Sequence, residues 1–160
     1  MRKSNRAIND QAAIESVLAD SDVCRIGMYA DGEVYIVPMN FGYILGDDGT
    51  LTLYFHCANE GRKLDMIRQN PEVCFEMDTA HRLIPGEDGK ACGYSMNYAS
   101  LIGVGRIGIL QGKDDRIHGL TQIMRHYSDN DSFTFDETML RLTTVLSLKA
   151  RSYTGKHRTE

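Results

Sequence analysis

The stretch Phe55-His56-Cys57-Ala58-Asn59-Glu60-Gly61-Arg62-Lys63-Leu64 concentrates side chains that do chemistry. It runs from the end of an expected strand into the first turn of a helix expected over Gly61–Gln69. Arg62 and Lys63 are locally misplaced there, because the positive end of a helix dipole disfavours cations. An anion would repair the conflict. Free backbone N–H groups at a helix start bind phosphate, and an arginine adds bidentate, charge-assisted hydrogen bonds. Gly61 would let the backbone come close to such a ligand. A competing reading leaves both cations solvated and partly offset by Glu60 and Asp65, and charge alone does not separate the two. His56 closes the strand just before this turn. An imidazole there suits a proton donor or relay; the alternative is a rim histidine with a satisfied hydrogen bond and no catalytic duty. His118 and His126 are expected on an exposed helix face, and His81 and His157 in a loop and the tail.

The rest of the composition narrows the field. With 160 residues, 42% hydrophobic and 25% charged, the chain is expected to be one domain over residues 1–160 with a core of its own. A net charge of −4 argues against a nucleic-acid surface, which is usually strongly basic. Cys24, Cys57, Cys74 and Cys92 form no CxxC pair, so no metal site is expected. The Arg-rich start lacks the apolar run of a signal peptide, and no stretch is apolar enough to span a bilayer. The expectation is therefore no membrane association and a cytoplasmic location.

Periodicity supplies the elements that must position the site. Asp10 caps a helix over Asp10–Leu18 whose stripe is Ala13, Ile14, Val17 and Leu18. Val23–Tyr29 alternates as a strand, Ala30–Glu33 is a turn, and Val34–Leu45 reads as one long second strand. Gly46–Gly49 is a hairpin turn into Thr50–His56, which makes an antiparallel meander of three consecutive strands. Pro71 ends the Gly61–Gln69 helix at Asn70. Glu72–Asp78 is a fourth strand, Thr79–Met96 a long surface loop, and Tyr98–Leu110 a fifth strand bent at its glycines. A helix over Asp114–His126 would turn Ile117, Leu120, Ile123 and Met124 inward. A short helix over Glu137–Leu142 and a strand over Val145–Leu148 follow. About six antiparallel strands with short helices favour a mainly β split barrel over a parallel α/β sheet.

Several segments, in order, carry a family likeness. They are the start through Arg6, Val37–Tyr43, Tyr54–Ala58 with Glu60–Leu64, Asn70-Pro71, Tyr98–Leu101 with Gly105-Arg106, and Thr154-Gly155-Lys156. Together they resemble the pyridoxamine 5′-phosphate oxidase superfamily of FMN-binding split barrels, and more narrowly its NimA-like, nitroimidazole-resistance branch. The resemblance implies FMN as cofactor. It implies that Val37, Pro38, Met39 and Asn40 line the isoalloxazine ring, mainly through their backbone, that His56 lies at the flavin pocket, that Cys57 and Ala58 stand near the phosphate, and that Gly61, Arg62 and Lys63 take the phosphate. It also implies that Ser100 reaches the flavin of a second subunit, so that the protein is a homodimer with its cofactor at the interface.

The expected activity is an FMN-dependent reductase that takes a hydride from transiently bound NAD(P)H or another donor and reduces a small acceptor such as a nitroaromatic, with His56 as candidate proton donor. The sequence departs from the oxidases themselves: Cys57 and Ala58 stand where those place hydroxyl and amide side chains, and no Arg-rich C-terminal ending is present. The alternative is a non-catalytic flavin- or haem-binding barrel, with Met39, Met96, His56 and Cys57 as possible haem ligands.

Overall fold

The computed structural model describes residues 4–130 and 132–159. Its elements in chain order are β1 (Ala7–Ile8), α1 (Gln11–Asp20), β2 (Cys24–Ala30), β3 (Glu33–Met39), β4 (Gly42–Leu45), β5 (Leu51–Ala58), α2 (Arg62–Gln69), β6 (Glu72–Ile84), β7 (Ser95–Ile109), α3 (Lys113–Tyr127), α4 (Glu137–Leu142) and β8 (Thr143–Arg158). The strands form one antiparallel sheet in the order β3-β2-β6-β7-β8-β5-β4, with β1 added to β8. This is the expected split barrel: the sheet curls around a core, and β3 and β4 remain as its two edges.

Alternation builds the core. Ile26 and Met28 of β2, Leu53 and Phe55 of β5, Phe75 and Met77 of β6, Leu101 and Ile107 of β7, and Leu146 and Leu148 of β8 are all buried, while their strand neighbours turn outward. The ring of Phe75 fills the space that a side chain at Gly103 would need, which explains a glycine inside β7. Helix α1 begins at Asp10, whose Oδ2 accepts from the Ala13 N–H at 3.1 Å, and buries Ile14, Val17 and Leu18 as its spacing predicts. Ser21 stops it by donating its hydroxyl back to the Val17 carbonyl at 2.7 Å.

Four expectations about element boundaries are corrected. Val34–Leu45 is not one strand. β3 pairs with β2 at one edge of the sheet and β4 pairs with β5 at the other, so Asn40 and Phe41 carry the chain across the gap. The crossing is fixed locally. Phe41 is fully buried, its N–H donates to the Tyr127 hydroxyl at 3.1 Å, and that hydroxyl donates to the Asp22 carbonyl at 2.7 Å. For the same reason the meander is limited to two hairpins, since β5 turns to β8 and not to β3.

The expected Thr79–Met96 loop is shorter than read: its two ends belong to β6 and β7, and residues 85–94 connect them. β6 and β7 pair as far as Ile84 and Ser95, across a register break between Thr79 and Arg82 where Ala80 takes a positive φ of 58°. Finally, β8 runs through to Arg158, held by β5 at its start and β7 along its length, so a polar segment with little strand signature becomes the sheet's central pairing partner.

Helix α3 covers the outer face of β4 and β5. Tyr54 meets His118 edge to face with ring centroids 5.6 Å apart, and a side chain at Gly119 would collide with Val145 and Tyr54. Of the expected inward stripe, Ile123 is buried, Ile117 and Leu120 are half-buried and Met124 is exposed. His126, expected on the exposed face, is half-buried; its Nε2 lies 2.8 Å from the Ser21 carbonyl and its ring packs 4.4 Å from that of Phe41. On the strand side, a Cβ at Gly42 would stand 2.2 Å from the Gln122 carbonyl carbon and 2.3 Å from the Ile123 nitrogen. Backbone cannot yield like a flexible side chain. Gly42→Ala is therefore expected to push α3 off the sheet and to destabilise the fold by roughly 3 kcal/mol or more, read as a lower midpoint in urea unfolding.

Candidate functional site

Helix α2 starts without a side-chain cap. Gly61 occupies the cap position at φ 133° and ψ 160°, a conformation open to glycine, and no atom lies within 4 Å of where its Cβ would be. Its carbonyl accepts from the Leu64 N–H at 2.9 Å and the Asp65 N–H at 3.4 Å. The N–H groups of Arg62 and Lys63, ahead of these two bonds, have no partner within the helix, as at any helix start. Leu64, Met66 and Ile67 are buried beneath and anchor the helix against the sheet.

The two cations of this turn are not offset as the sequence suggested. Arg62 reaches Glu33 at the start of β3, and its guanidinium lies 4.7 Å from the centre of the Tyr35 ring. Asp65 pairs instead with Arg68, three residues on, at 3.0 Å. Lys63 is half-buried and has no ion-pair partner among the described residues. Its charge reaches Cys57. Burial pushes that thiol's pKa up, and the lysine pulls it part of the way back.

The expected ring-lining residues follow from this point along β3. Tyr35, Val37 and Met39 turn toward the barrel, while Pro38 and Asn40 are exposed. Because β3 is an edge, one side of its backbone is unpaired within the chain. From Glu33, where Arg62 is held, to Val37 is roughly 13 Å of extended strand. That span suits a ligand with an anionic tail at α2 and a flat polar head against the strand edge.

The end of β5 divides. Cys57 continues the inward set of Leu53 and Phe55, whereas His56 is exposed and shares its face with Tyr54, toward α3. Asn59 then lashes the loop to the next helix: its Nδ2 donates to the Arg141 carbonyl at 2.7 Å and its Oδ1 accepts from the Thr144 hydroxyl at 2.8 Å. Helix α4 is itself pinned to α3, by Lys113–Glu137 at 2.6 Å and by the Arg116 guanidinium on the carbonyls of Leu140 and Thr143. Ala58 is exposed beside this lashing.

Ser100 is not part of this cluster within one chain. It pairs with Asp78 and Lys156 at the far end of β8, whereas His56 pairs with Val145 near the start of that strand. Met96 lies further out still, so Met39, Met96, His56 and Cys57 do not form one ligand set. Among the described residues no group of three or more His, Cys, Asp and Glu side chains is arranged to hold a metal ion.

Ser100 belongs instead to an outer face that no helix among the described residues covers. Val34 and Ile36 are 70% and 62% exposed there, beside Tyr29, Gly27, Cys74 and Ile102. A groove of about 540 Å³ runs between them. Ion pairs flank it. Arg25 holds Glu76 and Asp78 at one end, and Glu72 accepts from Arg106 at 3.2 Å and Arg151 at 2.6 Å at the other. Burial raises the Glu76 pKa, and the nearby Asp78 adds to the rise.

Three residues of this region escape a reading of the sequence. Glu33 and Tyr35 are far in sequence from Arg62, and Asn59 meets residues more than eighty positions away. Only the turn at Ala30–Glu33 hinted that Glu33 begins a strand.

Comparison with known proteins follows the same lines. The profile of the pyridoxamine 5′-phosphate oxidase family matches residues 10–157. A candidate 5-nitroimidazole antibiotic resistance protein from Bacteroides thetaiotaomicron is 34% identical, with 94% of this chain and 86% of that one covered and a TM-score of 0.80. A flavocytochrome from Azotobacter vinelandii (18% identity, 100% and 72% covered, TM-score 0.80) and an FAD- and haem-binding protein from Mycobacterium smegmatis (14%, 97% and 74%, TM-score 0.81) share the fold. No curated protein sequence matches the chain. No helix among the described residues is long and apolar enough to cross a membrane. A profile match over nearly all of the chain, together with this relative, makes the protein a member of the pyridoxamine 5′-phosphate oxidase family, in its NimA-like, nitroimidazole-resistance branch.

Proposed function

We propose that the protein binds FMN at the start of α2 and along the free edge of β3, and uses it to reduce a small acceptor such as a nitroaromatic compound. The observation that carries this reading is the turn at Gly61 without a side-chain cap, where the N–H groups of Arg62 and Lys63 lack an intrahelical partner and both residues are cations, with Arg62 reaching the edge strand β3. The flavin would supply two-electron transfer from NAD(P)H. The chain's own part is position and charge. Arg62 and Lys63 would hold the phosphate with Cys57 and Ala58 near it, Gly61 would admit it to the backbone, and the Val37–Asn40 backbone would line the ring. His56, exposed and unpaired among the described residues, is the proton donor to the acceptor. Similarity to a relative described by 5-nitroimidazole resistance supports a nitro compound as acceptor.

The bare outer face supports a second subunit. Its groove is apolar, its ion pairs carry an excess of carboxylate at one end and of guanidinium at the other, and a two-fold axis across it sets opposite excesses against each other. Ser100 lies on that face and would reach the partner's flavin.

Arg62→Ala combined with Lys63→Ala is expected to weaken FMN binding roughly ten- to hundredfold, with the thermal midpoint nearly unchanged. Equal FMN affinity in a fluorescence titration would remove the phosphate site. His56→Ala should keep FMN and slow turnover of a nitroaromatic in stopped-flow; an unchanged rate takes His56 out of the mechanism. Cys74, exposed in one chain, should be protected from alkylation in the native protein relative to Cys92, and equally fast labelling of both would rule out this interface.

A further inference from the structure

We infer that Glu33 is a built-in competitor for the phosphate subsite, a carboxylate that occupies Arg62 and weakens the hold on phosphorylated ligands. The inference rests on the flavin reading and adds a residue that sets how strongly the subsite discriminates for a phosphate. Glu33 opens β3 directly after the β2–β3 turn, 29 positions from Arg62, and its Oε2 contacts Nη2 of the guanidinium. The contact engages one carboxylate oxygen, and both side chains are more than half exposed (54% for Arg62, 69% for Glu33). Such a pair is easily exchanged for another anion.

Glu33 is not needed to aim the arginine, because the Tyr35 ring already supports the guanidinium from below. What the carboxylate adds is charge of the same sign as the ligand, at the entrance to the α2 turn. A phosphomonoester must displace it from Nη2 and then sit beside it. Riboflavin, which has the same ring and no phosphate, meets neither cost. The geometry thus makes Glu33 a selective brake on phosphate binding and a bystander to ring binding.

The test compares FMN and riboflavin titrations of the full-length protein with those of Glu33→Gln, followed by flavin fluorescence at low ionic strength. The substitution should tighten FMN about two- to fivefold, the scale of an exposed ion pair, and leave riboflavin unchanged. In an Arg62→Ala background the FMN gain should be smaller, because only the like-charge cost remains, and riboflavin should again be unchanged. Weaker FMN binding in Glu33→Gln would make Glu33 an anchor for Arg62 and overturn the inference, as would an equal shift for both flavins. Should the unmodified protein bind neither flavin, the flavin reading falls on its own. Inorganic phosphate, titrated against the amide NMR signals of Gly61–Leu64, then decides the role of Glu33: tighter binding in the variant upholds it, and unchanged or weaker binding refutes it.

Discussion

An open sheet has two edges, and in this protein a single run of chain makes both. β3 lies at one end of the strand order and β4 at the other, with only Asn40 and Phe41 between them. The rest of the molecule follows from that constraint. The barrel stays split because its first long hairpin ends where its last edge begins. The backbone of β3 keeps an unpaired side, and a buried phenylalanine with its N–H on a tyrosine hydroxyl fixes where the crossing occurs. A closed barrel would have paired that side and left no strand edge for a flat ligand.

Electrostatics then distinguishes one end of the exposed edge from the other. A helix start normally favours acidic side chains, yet α2 begins with two cations and leaves its first acid, Asp65, to its own Arg68. The conflict is only partly relieved inside the chain, by one exposed carboxylate and one aromatic ring on β3. Local disagreement of this kind, in a fold otherwise consistent from propensity to packing, is what the proposed phosphate site would resolve.

Much of this was legible in the sequence, for identifiable reasons. Helix α1 with its Asp10 cap, the helix ended by Pro71, and the two tight hairpins depend on contacts a few residues apart, which local spacing encodes. The β3–β4 break was not legible, since Val34–Leu45 is mostly apolar and the destination of each half, β2 or β5, is what separates them. The length of β8 was hidden for the opposite reason. Its second half alternates among charged and small residues, and its strand character comes from pairing with β7 rather than from its own composition. Within the site, Gly61, Arg62 and Lys63 were readable because they are adjacent. Glu33, Tyr35 and Asn59 were not, because each acts on a residue far away in sequence.

Asn59 has a mechanical meaning beyond its two hydrogen bonds. It ties the loop that precedes α2 to α4, and α4 is riveted to α3 by Lys113 and Arg116, so loop and helices form one connected truss. Tension applied at α3 is carried to the turn before α2 without passing through the barrel core. Stiffness at that turn is therefore a property of the helical layer on the sheet's outer side, and the two can tighten or slacken only together.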